Sequence, residues 1–550
     1  MLSALLLFMA GLTQARAASL DNLEVGGFSG SPLATDGTAS WWNPACLAAG
    51  RGWRLTLEVA PTFATVLYDR AEPHGGLDTY SLSGVVPFVG VATDLGLPGL
   101  GVGASLAIPI VRGGTEEGFL DAGPDYGVAG TGSYTLRDGS TRAIQATAGL
   151  AWDFREKLAI GVSGALVQSQ WTAVVDNDAM PDLDEQITAQ GEVSGYTTDD
   201  LETERYKATL DFDTLQDTVF TFGAGVRITP VPTVSLGVAF LKGVSVVNEG
   251  DLLITFQCPP DSDSIGRFGA EQFGICNTSI PASATVSYSL PTRVHGGVGW
   301  EATPDLHVEA VAGWVGWSVF EDYIIDIHDP GSDNASANDL LTQSRLWARD
   351  NQDSYWFGAS GHGTFAKRLT LGGKILYDKS AIPDESLSPN NYDADAILVS
   401  GLLSFKPIDA VTVGVSYTHH FLATREITTS KFGMSLPKPD LSDSETDRYY
   451  YPNANGTYSG GINRVGISLQ IALGRPQGDE DSRDRDRDDK DHDDEDDQDD
   501  RDDKDDHGDE DDDRDDHEDD DDVREDDDDV RDRDDRDDND RDDDAPEPGL

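Results

Sequence analysis

Several common ways of life are closed to this chain by what it lacks. Cationic side chains are scarce: 40 Lys and Arg stand against 101 Asp and Glu, for a formal net charge of −61. A surface of that sign repels a phosphate backbone, so nucleic acid is excluded as a partner. Long apolar runs are missing too. Beyond the first 17 residues nothing approaches the ~20 consecutive apolar residues that a membrane-crossing helix needs. There is no HExxH, no Cys-x-x-Cys, no Walker loop and no Gly-x-Ser-x-Gly, so the sequence predicts neither an enzyme nor a cofactor. "DSDSIG" fails as a calcium loop, because Ile265 occupies a ligand position and Gln272 stands where the closing Glu belongs. His419 and His420 are adjacent and, on a strand, point to opposite faces, so no metal site is expected from them.

What is present begins with two contrasting ends. Residues 1–17, "MLSALLLFMAGLTQARA", carry a short apolar core from Leu5 to Leu12 and a small-x-small step at Ala15-Arg16-Ala17. That predicts a secretory signal, although its n-region has no Lys or Arg. From Asp479 onward 46 residues are acidic and 12 basic, more than half of the net charge. Such a stretch buries nothing that could offset the entropy of ordering, so residues 475–550 are predicted to be disordered. A polyampholyte of this kind could weakly bind divalent cations or simply stay solvated. An exported chain without a membrane helix leaves one way to cross a membrane, the barrel.

Between residues 50 and 475 apolar residues recur with period two. In "RVGISLQIAL", Val465, Ile467, Leu469, Ile471 and Leu473 alternate with Gly466, Ser468, Gln470 and Ala472. Period two means strands with one apolar face. They are placed near 54–67, 77–93, 99–112, 142–154, 157–172, 216–229, 232–247, 291–302, 304–320, 354–366, 368–380, 394–406, 410–426 and 462–474. Very short connections ("DLGLPG", "RE", "PVP", "TP", "AK", "PID") alternate strictly with long polar ones. A soluble sandwich has no reason to gather its short turns at one end, whereas a bacterial outer-membrane barrel does. Trp53, Tyr68, Trp152, Trp171, Trp300, Trp317 and Tyr377 fall near strand ends, as interfacial girdles require. The fold expected is all-β, a 14-stranded antiparallel transmembrane barrel over residues 53–474. An even strand number puts both termini on the periplasmic side.

Fourteen strands enclose a lumen too wide for wall side chains to fill. Residues 18–52 are mixed apolar and small, and they include Trp41 and Trp42 followed by Asn43, Pro44 and Ala45. Proline there argues against a regular element, yet two tryptophans need burial. The segment is therefore expected to fold into the lumen as a plug, turning at Asn43-Pro44. Cys258 and Cys276 flank one loop, and an oxidising compartment would let them pair. Cys46 is expected to be a free, buried thiol.

"GTASWWNPACLA" resembles the N-terminal hatch of the FadL/TodX family of outer-membrane transporters of hydrophobic compounds. The likeness continues through "VVPFVGVATDLGLPGLGVGASLAIPIV", "LPTRVHGGVGWEATPDLHVEAVAGWVGWSVF", "LTLGGKILYDKSAIPDESLSP" and "GTYSGGINRVGISLQ", in order. The resemblance implies a monomer in contact with outer-membrane lipid, passing long-chain fatty acids or aromatic hydrocarbons. It also implies sideways exit through a gap made by a kink in the third strand. The residues meet that idea at Pro109, which cannot donate a ladder hydrogen bond in mid-strand. Family members usually carry a glycine two residues later. Here Val111 stands there, and Gly113 is the nearest candidate. A second departure is the last strand, which ends on Leu473 and Gly474 rather than an aromatic.

A carboxylate cargo needs a cation in an apolar pocket, and Lys374 and Arg227 are the candidates, with Glu58 and Glu309 as possible structural partners. Two rival readings remain at this point. One is a general porin for polar solutes; the other is a structural or adhesive barrel with a cation-binding tail.

Overall fold

The computed structural model describes residues 23–71, 76–113, 138–178, 180–197, 206–272, 274, 276–333, 338, 341–342, 344–431 and 454–474. The expected signal peptide, residues 18–22 of the expected plug and the acidic tail lie outside them.

The wall opens with β1 (Trp53–Arg70), β2 (Gly76–Thr93) and β3 (Leu100–Gly113). It continues with β4 (Asp138–Phe154), β5 (Leu158–Asp178), β6 (Lys207–Val231) and β7 (Val234–Leu241). Next come β8 (Arg293–Thr303), β9 (Leu306–Val315), β10 (Ser354–Phe365) and β11 (Leu369–Asp378). The last three are β12 (Ala396–Ile408), β13 (Val411–Leu422) and β14 (Gly456–Leu473). Each is antiparallel to the next. Pairing of β14 with β1, from Trp53↔Leu473 to Arg70↔Gly456, closes the circle and leaves both strand ends at one rim.

The alternation runs the opposite way from a soluble sheet. In β1 the buried face carries Arg54, Thr56, Glu58 and Thr62, while Val59, Phe63 and Leu67 are exposed. Around the circumference Phe63 is 50% exposed, Phe220 64% and Leu403 53%. A continuous apolar exterior of this extent is untenable in water and suits hydrocarbon, with polar groups kept for the lumen.

The short turns all gather at the rim that holds the two ends, which is therefore the periplasmic one. Two are tight turns: Lys157 N donates to Phe154 O, and Arg368 N to Phe365 O. Their central residues, Arg155-Glu156 and Ala366-Lys367, have positive φ of 48 to 59°. That is the I′ conformation whose twist matches a hairpin, adopted here without glycine.

At the outer rim the structure corrects the expected loops. β5 and β6 run on to Asp178 and back to Lys207. A hairpin of Val244–Phe256 and Ser279–Leu290 extends the wall from β6, and Asp322–His328 adds to it. Above the membrane the outward face no longer needs apolar residues, so Lys207, Thr209 and Asp211 hide the strand cue. The inward Ala208, Leu210 and Phe212 remain buried. Parity also corrects the aromatic girdle. Trp53, Trp152 and Trp300 do face outward at the periplasmic end, but Tyr68, Trp171 and Trp317 are buried. Trp171 packs edge-on against Phe212, and Tyr68 stacks on Tyr458.

Candidate functional site

The N-terminal segment lies within the barrel, since it touches inward-facing residues around the circumference. Among its described residues, a 3-10 turn at Gly27–Ser29 comes first, followed by a single helical turn, Ala39–Trp42, and a 3-10 stretch, Pro44–Ala49. Asn43 joins the last two. Its carboxamide oxygen accepts from Ala45 N at 3.1 Å, capping the 3-10 turn, while its amide donates to Pro32 O at 3.2 Å and Val226 O at 3.3 Å. Pro44 stands at the first helical position, where its missing N–H costs nothing. The Trp42 indole donates to Val25 O at 2.9 Å and packs edge-on against His295 and Trp356. His295 Nε2 bonds the Trp42 carbonyl. Trp41 is only half-buried, with the Arg293 guanidinium 5.8 Å from its ring. Ala45 and Cys46 are wholly buried. Burial pushes the Cys46 thiol up to about 12, although Arg227 pulls the other way.

The wall makes room for this turn with small residues. Gly101, Ala151, Gly161, Gly225 and Ala239 stand directly opposite one another on β3 to β7, and the next partner in the row is His295. A Cβ on Gly101 would lie 2.3 Å from Leu47 C, and one on Gly161 would lie 2.4 Å from Ala45 N. These are close approaches of backbone to backbone, which only glycine permits. The row was not foreseen. Its signal was glycine recurring on the inward parity of successive strands, at similar distances from the turns.

On the far side the segment is held by charge. Glu24 meets Arg464 Nε at 3.7 Å and His420 Nε2 at 3.2 Å, and accepts from the Thr418 hydroxyl at 2.5 Å. Arg464 also donates to the Glu24 carbonyl at 2.9 Å and to Glu58 at 3.3 Å. Burial alone would raise the Glu24 carboxyl. Arg464, His420 and Thr418 outweigh it and hold the group well below the usual carboxylate range. Glu309 accepts from Ser31 at 3.0 Å and Ser360 at 2.8 Å, and Gln470 donates to Ser29 and Asp36.

Lys374 faces the lumen, donating to Gly30 O at 3.4 Å with Phe28 below its ammonium. It is thus engaged with the N-terminal segment. Arg227, five strands away on β6, lies within electrostatic reach of Cys46 and Asp153 at the periplasmic end. The two candidate cations do not share a site. His419 and His420 do part company, His419 bonding Asn463 and His420 bonding Glu24.

Pro109 sits in a bulge. The β3–β4 register runs Ala107↔Gln145 and then Ile110↔Ala143, so Ile108 and Pro109 together oppose one residue. On its other side β3 pairs with β2 only from Val102↔Thr93 to Ala107↔Phe88. β2 continues to Gly76 in full register with β1 but without a partner on β3. Gly113, at the end of β3, pairs across to Ser140 of β4. At the outer rim Cys258 and Cys276 are joined in a disulfide that closes a loop around the helix Ser264–Gln272, and Cys46 is the free cysteine.

Comparison with known proteins follows the same lines. A Pseudomonas aeruginosa FadL homologue has 13% identity and a TM-score of 0.63, over 84% of this chain and all of that one. The P. putida toluene transporter TodX has 15% identity and a TM-score of 0.56, over 83% of this chain and 99% of that one. The Ralstonia pickettii toluene transporter TbuX has 14% identity and a TM-score of 0.50, over 83% and 98%. Likeness at this identity establishes the fold alone. No curated protein matches the sequence. The family description "outer membrane protein transport protein (OMPP1/FadL/TodX)", by contrast, matches residues 6–451. A closed barrel with an apolar exterior and its N-terminal segment in the lumen, matched to that family over most of its length, belongs to it: this chain is a member of the OMPP1/FadL/TodX family of Gram-negative outer-membrane transport proteins.

Proposed function

We propose that the protein takes up hydrophobic molecules passively across the outer membrane, long-chain fatty acids among them, and releases them sideways into the bilayer. Outer loops admit the molecule, the lumen holds it, and the N-terminal segment acts as a hatch that yields near Asn43-Pro44-Ala45. The cargo then leaves beside Pro109.

The observation that carries this reading is the broken β2–β3 ladder above a lumen sealed on its periplasmic side. Among the described residues β2 has no partner on that side from Gly76 to Pro87, and at membrane depth each orphan backbone group would cost several kcal/mol, about 2–7. An opening there serves a solute that prefers lipid to water. Apolar inward residues at the outer end of the lumen (Val66, Val175, Phe212, Leu398) suit such a cargo. A porin for polar solutes would instead need an open aqueous path, and the wholly buried Ala45 and Cys46 speak against one. The relatives described as toluene transporters point to the same class of cargo.

Two variants test the reading. Deleting Ile108 and changing Pro109→Val removes the extra residue and supplies the missing N–H. Uptake of a labelled fatty acid into proteoliposomes should then be lost; unchanged uptake sinks the lateral route. Deleting residues 20–48 should turn a closed barrel into a conducting pore in planar bilayers, and an unaltered conductance refutes the hatch.

A further inference from the structure

The groups around Glu24 have the composition of a carboxylate receptor. Thr418 and Arg464 are direct cross-strand partners on β13 and β14, and His420 is the next residue on the same inward face. A guanidinium, an imidazole and a hydroxyl thus converge on one carboxylate, all of them buried. Thr418 and His420 hydrogen-bond the carboxylate and Arg464 pairs with it at 3.7 Å, contacts that gain strength in a site sheltered from water. The wall does not supply the carboxylate. The N-terminal segment does, through a residue flanked by Leu23 and Val25. Beyond this seat the inward positions are apolar or aromatic up to the stacked pair Tyr68 and Tyr458, through Ala64, Val66 and Ile462, with Arg70 past them at the outer end of β1. The seat matches the head of an acid, and this wall matches an apolar tail, in chemistry.

We propose that Arg464, His420 and Thr418 form the carboxylate seat for an acidic amphiphile, and that Glu24 is its built-in competitor. The ligand carboxylate takes the seat, Glu24 is expelled, and the arm from Leu23 to Ser31 is released with it. This rests on the transport reading above and adds a ligand-operated latch to it. Glu58 makes the exchange reversible. It stays bonded to Arg464 at 3.3 Å, so the guanidinium is not left as an unpaired buried charge while the seat changes hands. A tethered carboxylate competes at an effective concentration on the order of millimolar, so a small acid such as acetate cannot displace it at micromolar levels. A long-chain acid can, because its tail adds apolar burial that Glu24 does not match. A neutral amphiphile of the same length has no means of evicting Glu24.

The test is equilibrium binding of labelled dodecanoate and dodecanol to the full-length protein in nanodiscs, comparing wild type, Glu24→Gln and Glu24→Ala. With the competitor gone, Glu24→Ala should bind dodecanoate at least about tenfold more tightly while dodecanol is unchanged, and Glu24→Gln should fall between. Adding Thr418→Val to Glu24→Ala should take back much of that gain. Equal gains for acid and alcohol, or no gain at all, overturn the proposal. Uptake of labelled dodecanoate by the wild type, the cargo that the latch admits, separates this from the parent reading. If uptake occurs without an acid–alcohol contrast, the latch is wrong and transport stands; if uptake is absent, transport fails whatever the binding contrast.

Discussion

The most incisive perturbation is a single methyl group at Gly161. Its Cβ would lie 2.4 Å from both Ala45 N and Pro44 C, backbone atoms with no rotamer to move. Non-bonded carbon contacts settle at about 3.5–4.0 Å, so the hatch turn must retreat by roughly 1 Å. The Asn43 bond to Val226 O, already 3.3 Å long, cannot survive that, and neither can the bond between His295 and the Trp42 carbonyl. At about 1 kcal/mol net for each, with lost packing besides, the seated hatch weakens by about 2–3 kcal/mol. That shifts the ratio of unseated to seated by about 30- to 150-fold. The barrel should not suffer, because Ala in a strand is better than Gly by about 0.5–1 kcal/mol. Cys46 provides the readout. It is 0% exposed, and burial raises its thiol to about 12, so a maleimide should barely touch it in the wild type. In Gly161→Ala the labelling rate should rise by more than tenfold, with a parallel rise in single-channel conductance. Gly401→Ala, on β12 with nothing within 4 Å of the new Cβ, is the matched control and should behave as wild type. Labelling and conductance in Gly161→Ala equal to those of the control would refute the idea that the glycine row seats the hatch.

Further outcomes are expected elsewhere. The depressed Glu24 carboxyl contributes stability that is fully present above its unfolded value of about 4.3 and is lost as pH falls below it. Conductance should therefore rise as pH falls below about 4, and Glu24→Gln should flatten that step. Replacing Cys258 and Cys276 by Ser opens a loop with 18 residues of sequence separation, at a local cost of about 3 kcal/mol. Hydrogen exchange should rise around the helix Ser264–Gln272, with the melting of the barrel unchanged. Changing Ala366-Lys367 to Asn-Gly relieves two positive-φ side chains and should stabilise the barrel by about 1 kcal/mol, read as a higher temperature for loss of the folded band on gels.

Much of the barrel was legible because its cues are local. The inward parity of Lys374 follows from the outward parity of Leu371 and Ile375, and the reading of the tight turns at Arg155-Glu156 and Ala366-Lys367 needed only their shortness. The cue weakened wherever the environment outside the strand changed. Lys207 to Phe212 read as loop because water, not lipid, lies outside them, though Ala208, Leu210 and Phe212 kept the inner face. The place of Tyr68 and Trp171 along the strand predicts a girdle, but parity, not height, decides which way a ring points. The break at Pro109 was visible as chemistry, since a missing donor is a property of the residue. That the β2–β3 ladder stops at Phe88 was not visible, because that depends on where β3 diverges.

By itself, then, the amino-acid order determined the period-two wall, the short rim of turns, the exclusion of helices from the membrane and the need to bury Trp42 near an irregular turn. Each of these follows from interactions over a few residues. Only the closed barrel decided that Gly101, Gly161 and Gly225 form one row, and that Glu24 lies with Arg464 and His420. Those residues are separated by up to 440 positions in the chain. Their meeting depends on cumulative strand register and on a segment threaded into the lumen, and no local pattern carries that information.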